Sequence, residues 1–216
     1  MSRTVLAEAY QAIPDNDAAV VELEAAQSIF ERLGALDGAR RAAELLSGGR
    51  AAEATTGTFL FTDICGSTNL LEAIGDAAWH DFVEWHDRTL RALFGEHGGE
   101  EVNHAGDGFF VAFRETRAAL ACAVEIQQVL VRQRREHGFA PAVRIGVHTA
   151  EAIRVGSGYR GKGVHMAARI GSVATANEIV ASRETAVAGR FGFSNLRALE
   201  LKGLSTPVDV VTVDWA

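Results

Sequence analysis

The sequence predicts an α+β sandwich, one sheet with long amphipathic helices packed on a face, joined to an α-helical hairpin at the N-terminus. Three observations predict it. Runs with the two-residue alternation of strands are interleaved with runs of helical spacing. The period switches from 3.6 to 2 at HGGE, residues 97–100. The first 47 residues are rich in Ala, Leu and Glu, and strand-like runs alternate with helical ones only from about Gly57 onward.

Taken in order, VELEAAQSIFERLGALDGARRAAELL reads as two amphipathic helices broken near Gly34 to Gly38, a hairpin within residues 1–50. SGGRAAEATTG is small and polar, so residues 51–57 are expected to link this hairpin to a main domain over 58–213. TFLFTDI is a strand. DAAWHDFVEWHDRTLRALF is a helix with Trp79, Val83, His86, Leu90 and Leu93 on one stripe, and EEVNHAGDGFFVAF is a strand pair about a tight turn. A second long helix, ETRAALACAVEIQQVLVRQRR, leads to the strand AVRIGVHTAEAIRV, the glycine-rich VGSGYRGKGVHMAAR, a short helix, the strand EIVAS, and a closing pair around RALELKG and PVDVVTVD.

Composition narrows the function classes. With 216 residues, 48% hydrophobic and 23% charged, the chain has room for one good-sized core plus an appendage. A formal charge of -7, with no Lys/Arg-rich run interleaved with aromatics, argues against a nucleic-acid partner. Cys65 and Cys122 are too few for a disulfide framework and lack the paired spacing of a zinc site, which suits a reducing compartment. No apolar run reaches membrane-span length and MSRTVLAEAYQAIPDND has no signal-peptide core, so a cytoplasmic protein that meets no membrane is expected.

Two aspartates stand where such side chains are costly unless employed. Asp63 ends the apolar strand TFLFTD, and Asp107 lies in the turn AGDGFF. Carboxylates at adjacent strand ends can share divalent metal ions with substrate phosphates, and hairpin geometry brings the two close. ICGST follows Asp63 as a small-residue turn into a helix, whose exposed backbone N–H groups can hold phosphate. A turn aspartate and a helix N-cap are the plain structural alternatives. The stretch Val155–Arg169 is ambiguous. Gly156, Gly158 and Gly161 spell a dinucleotide-binding fingerprint, while Gly156 to Gly163 approximates a P-loop whose Lys162 is followed by glycine instead of serine or threonine. The fingerprint needs a strand–turn–helix opening a βαβ unit, and here it falls late in the chain.

FTDICGSTNLLEAIGD, HAGDGFFVAF, RIGVHTAEA, VHMAARI and ELKGL, in this order, resemble the catalytic domain of class III nucleotidyl cyclases of bacterial type, over about three quarters of the chain. The resemblance implies the ferredoxin-like sandwich of that family and a head-to-tail homodimer. Each active site there would draw two metal aspartates from one chain and transition-state residues from the other. It implies that Asp63, Asp107 and the Ile64 carbonyl hold two divalent ions, Mg or Mn. The 3′-hydroxyl of a nucleoside triphosphate, made more acidic by one metal, would attack the α-phosphate and expel pyrophosphate held by the other. By the same resemblance Cys65, Gly66, Ser67 and Thr68 cradle phosphate, Lys202 contacts the terminal phosphates, and Arg169 stabilises charge developing on the α-phosphate. The glycines of the ambiguous stretch become loop residues, and Lys162 a solvated side chain.

Three positions depart from the family pattern. Asn103 stands where an adenine-selecting lysine is usual, Gly158 where its aspartate partner is usual, and His165 where an asparagine is usual. Asparagine both donates and accepts while glycine offers no side chain, so base recognition is rewired or relaxed. The expected reaction is ATP to 3′,5′-cyclic AMP and pyrophosphate. A cyclase for GTP or a pyrimidine triphosphate is one alternative, and a nucleotide-binding sensor without efficient turnover is another. His86 on its apolar stripe reads as a satisfied packing residue, His104 should face away from Asn103, and His148 should shape the sheet. The N-terminal hairpin resembles the last helical repeat of longer bacterial regulators and needs a partner for its apolar face, which suggests a regulatory or dimerisation role.

Overall fold

The computed structural model describes residues 25–30, 38, 39, 42, 53–156, 158–200 and 207–215. The larger compact unit takes Thr55–Ala152 and Tyr159–Ala216, and the described residues before Thr55 group with Ile153–Gly158 as a second unit. In the second unit residues 25–30, 38, 39 and 42 are helical, and a Cβ at Gly38 would fall 2.8 Å from the Phe30 ring. The rest of the expected hairpin lies outside the described residues.

The described elements run β1 (Glu53–Ile64), α1 (Ser67–Ile74), α2 (Asp76–Glu96), β2 (Glu100–Ala105), β3 (Gly108–Phe113), α3 (Thr116–His137) and β4 (Val143–Val155). After these come β5 (Gly158–Arg160), α4 (Lys162–Val173), β6 (Ile179–Ser182), α5 (Arg183–Gly189), β7 (Phe193–Leu199) and β8 (Val208–Val213). They build a sheet of order β2-β3-β1-β4-β6-β8-β7, with β5 paired to β4. β1 and β3 are antiparallel, β4 and β6 parallel, and β7–β8 closes the edge as an antiparallel pair. β1 already begins at Glu53, inside the stretch read as linker. Small polar residues accept an extended backbone when a neighbour as long as the 13-residue β4 lies beside the strand.

The main core lies on one face of the sheet. Leu60, Phe109, Val111, Ile145, Val147 and Val211 pack there against Leu90 and Phe94 of α2, Leu120, Ile126 and Leu130 of α3, and Ala186 of α5. The helical stripe read from Trp79 to Leu93 is the stripe α2 turns inward: His86, Leu90 and Leu93 are buried and Trp79 is half-buried. The helices do not all share this face. α4 packs on the other one, where Val164 and Ala167 meet Phe59 and Ala112, and Ile170 meets Val180 and Val210. Close backbone approach makes this possible. A Cβ at Gly146 of β4 would fall 2.3 Å from Gly171 of α4, and one at Gly163 would fall 2.3 Å from the Ala150 Cβ. No helix among the described residues is long and apolar enough to cross a membrane.

Candidate active site

The site grows from the end of β1. Thr58–Phe61 pair with Phe110–Phe113 of β3, so the C-terminal end of one strand meets the start of the other. There the Phe109 N–H donates to Thr62 Oγ1 at 3.1 Å, and a Cβ at Gly108 would lie 2.6 Å from the Thr62 carbonyl and 3.6 Å from Asp63 Oδ1. Only a glycine lets the two strands close this tightly. Asp63 and Asp107 are thereby brought to neighbouring strand ends, Asp107 in a turn whose Gly106 has φ 64. Asp107 Oδ2 is buried and has no hydrogen-bond partner. A buried acceptor left open is costly, and its natural occupant is a cation. The donor set fits a divalent ion of oxygen preference: two carboxylates, with the carbonyl of Ile64 next in sequence and room for substrate oxygens. Among the described residues no group of three or more His, Cys, Asp or Glu side chains forms a self-contained metal cluster.

Asp63 has a partner that the sequence reading missed. Arg144 of β4 donates through Nε to Asp63 Oδ2 at 2.8 Å and through Nη2 to the same oxygen, while its Nη1 donates to the Ser172 carbonyl of α4 at 3.2 Å. The sequence carried only a weak signal: Arg144 alternates with the buried Val143 and Ile145 and so lies on the opposite face of β4, where its side chain is 35% exposed. Phe61, Thr62, Asp63, Arg144, Ala168, Gly171 and Ser172 line a cavity of about 230 Å³ here.

Cys65 and Gly66 turn the chain into α1, with Gly66 at φ 69 in the left-handed region. Of the four residues read as a phosphate cradle, Cys65 has its N–H engaged by the Ala142 carbonyl at 2.8 Å. Ser67 and Thr68 open α1, which has no side-chain cap, so the first-turn N–H groups point out without a protein side chain to receive them. Burial pushes the Cys65 thiol above its ordinary range, against the nearby Arg144 charge, so Cys65 is a protonated wall of the turn.

Arg169 and His165 lie four residues apart on the exposed side of α4, opposite the buried Val164, Ala167 and Ile170. Neither lines the cavity beside Asp63, which meets α4 through Ala168, Gly171 and Ser172. The ambiguous glycine stretch forms the end of β4, a turn with Gly156 at φ 59, the short β5, then α4 starting at exposed Lys162. A strand thus intervenes where a fingerprint or P-loop would need a direct strand–turn–helix, and Gly163 is a packing glycine. Gly158 begins β5 in the second unit, and Asn103 is exposed on β2 in the larger one. Lys202 lies outside the described residues.

His104 pairs in register with Phe109 and Asn103 with Phe110, so the two do face opposite ways. His86 is not the satisfied packing residue expected: Nδ1 meets Asp87 Oδ1 at 3.2 Å, but Nε2 is buried without a partner because the ring is packed between Phe82 and Phe109. His148 shares a hydrogen bond of 2.8 Å with Ser182, and burial pushes its pKa down to about 4.

Comparison with known proteins agrees with this architecture. A receptor-type adenylate cyclase A of Leishmania donovani is 29% identical over 167 residues, 58% of this chain and 12% of that protein. A putative adenylate cyclase 3 of Rhizobium meliloti is 29% identical over 161 residues, 71% of this chain and 27% of that protein. The chain therefore spans about a quarter or less of either relative. The crystal structure of the adenylyl cyclase CyaB from P. aeruginosa has the same fold, with a TM-score of 0.65 at 24% identity over 75% of this chain and 95% of that one. The family model for the adenylate and guanylate cyclase catalytic domain matches residues 51–213, and the chain belongs to that family.

Proposed function

We propose that the chain is the catalytic domain of a nucleotidyl cyclase that converts ATP to 3′,5′-cyclic AMP and pyrophosphate at a homodimer interface. One observation carries the reading: Asp63 and Asp107 meet at adjacent strand ends, with a buried carboxylate oxygen left open beside an uncapped helix N-terminus. Asp63, Asp107 and the Ile64 carbonyl would hold two divalent ions, Mg or Mn, which supply acidification of the 3′-hydroxyl and neutralisation of the departing pyrophosphate. The N–H groups of Ser67 and Thr68 bind phosphate oxygens through the helix end. Arg144 holds Asp63 in place and adds a guanidinium beside the phosphates. His165 and Arg169 are exposed on α4 and do not line their own Asp63 cavity, which supports delivery to the site of a second copy. There the fixed donors of Arg169 would stabilise charge on the α-phosphate, with Lys202 on the terminal phosphates and His165 orienting the ribose.

The 58–213 segment would be the catalytic domain of a cytoplasmic protein, and residues 1–50 a regulatory or dimerising hairpin. A truncation that tests the hairpin has to leave β1 intact from Glu53. GTP or a pyrimidine triphosphate is the second reading for substrate, favoured by an exposed amide at Asn103 and the bare backbone at Gly158. Incubation with manganese and each of ATP, GTP, CTP and UTP, with products identified by mass, tests both readings. Cyclic AMP as the main product upholds the first, another cyclic nucleotide the second. Tight binding with no product in any of the four overturns the enzyme.

A further inference from the structure

β2 is irregular at one point. Its register with β3 shifts between Glu101, opposite Val111, and Asn103, opposite Phe110, so that Val102 and Asn103 together stand against a single step of β3. An extra residue reverses the alternation of everything beyond it. Before the bulge, Glu101 lies on the face of Val111, beneath α2 and α3. Beyond it, His104 lies on that face opposite Phe109, and Asn103 turns with Val102 and Phe110 to the face that carries α4. Without the bulge Asn103 would point among the helices and His104 toward the site.

The two sides of the bulge are tied to one side chain. Arg91 of α2 donates through Nε to Glu101 Oε2 at 2.8 Å and through Nη2 to Oε1 at 3.2 Å, and Nη2 lies 3.2 Å from His104 Nδ1. Its Nη1 donates to Asp87 Oδ2 at 3.3 Å, one helical turn back, and that oxygen lies 3.2 Å from His104 Nε2, a charge contact without hydrogen-bond geometry, so that the buried nitrogen makes no hydrogen bond. Phe109 forms the floor: the His104 ring stacks on it at 4.3 Å and 13°, and the Arg91 guanidinium sits 5.0 Å over the same ring. Four charged or titratable side chains thus meet at the residues that flank the bulge.

We infer that Asp87, Arg91, Glu101 and His104 form a clasp that holds the β2 bulge and so keeps Asn103 on the α4 face, which makes Arg91 a positioning residue for recognition of the nucleotide base. The inference rests on the reading of Asn103 as a base-selecting position. Arg91 and Glu101 are partly exposed, with side chains at 43% and 32% accessibility, and an ion pair of that kind adds little to global stability, while Asp87 at 12% and His104 at 25% are more enclosed. Its effect is therefore local, on which way one strand faces.

Arg91→Met keeps the apolar stem over Phe109 and removes the clasp. The measurements are kcat and KM for the four triphosphates with manganese, and the Asn103 side-chain amide signal in NMR spectra, identified by its loss in Asn103→Ala. In Arg91→Met the ratio of kcat/KM between the best and the next base is expected to fall about tenfold toward unity, through KM, as for loss of one well-placed hydrogen bond. The melting temperature falls only slightly, since Asp87 keeps its contact with His86, the Asn103 amide signal moves, and Arg91→Lys recovers part of the ratio. An unchanged ratio and an unmoved amide signal in Arg91→Met, with Asn103→Ala shifting the ratio, would overturn the clasp. If the unaltered protein turns over none of the four, or does not discriminate among them, the reading of the site has failed separately. The amide signal then decides the clasp alone: moved upholds it, unmoved sinks it.

Discussion

The two faces of the sheet are built on different terms. On the α2/α3/α5 face the large side chains interlock in one continuous apolar core, with Phe94, Phe109, Leu120 and Ile126 almost wholly excluded from water. On the α4 face the apolar contacts break into smaller groups, one around Phe59 and Ala167 and one around Ile170 and Val210. Glycines at the contact let the helix there approach the sheet closely, with Val164 and Ile170 packing beside them. Between and beside those groups stand the polar residues of the site. The main core and the proposed site thus lie on opposite sides of one sheet, so substitutions on the two faces should fail in different ways.

The sharpest break of that comparison is Asp107→Ala on the site face. Turnover is expected to fall by about three orders of magnitude, as when a main electrostatic contact to the reacting group is removed. Urea unfolding should show equal or slightly raised stability, because a buried carboxylate oxygen without a partner is removed. Loss of stability of 2 kcal/mol or more would mean that Asp107 serves the fold. Leu120→Ala on the opposite face reverses the pattern: a fully buried side chain leaves a cavity costing about 3 kcal/mol, while turnover per folded molecule stays near the original value.

Gly146→Ala probes the seam between the faces. Its Cβ would fall 2.3 Å from Gly171, so α4 must shift, at a cost of about 1–3 kcal/mol together with reduced turnover because Arg169 and His165 move with the helix. Stability lost with turnover intact would show that the exact seat of α4 is immaterial to the chemistry. An effect of similar size, confined to acid pH, is expected from His148. His148, buried against Ser182 with its pKa near 4, stays neutral in the folded chain while the unfolded chain protonates it below about 6.5. It contributes no pH dependence above that value. As pH falls from 6.5 to 4 stability drops, by about 3 kcal/mol at the lower end, and then levels. His148→Gln should remove that part of the slope in unfolding curves measured across the same window, and an unchanged slope would reject the burial argument.

Much of the fold was legible because periodicity records which side of an element is dry. The stripe of α2 from Trp79 to Leu93 and the turn at Gly106–Asp107 could be read directly, and the closing β7–β8 pair in part, because β7 spans Phe193–Leu199 and overlaps the expected RALELKG only at its end. Asp63 and Asp107 were legible for a related reason, since an acid at the end of an apolar strand and another in a tight turn stand out against their neighbours. Arg144 was missed because its partner is 81 residues away, and a cation in a strand carries no mark of which acid it will meet. The bulge at Val102 was missed because nothing in EEVNHA breaks the expected alternation. Only Arg91, reaching from another element, makes sense of Glu101 and His104 on one side.

Residue types and short spacings along the chain settle most of the order of strands and helices, β5 and α5 excepted, together with the two aspartates and the family resemblance. Only the tertiary structure decided that α4 crosses to the other face, that Arg144 joins Asp63, that the Cys65 N–H is taken by Ala142, and that Asn103 turns away from α2. Each of these depends on how closely two backbones approach or on which distant groups share one small volume, and such contacts have no period in sequence.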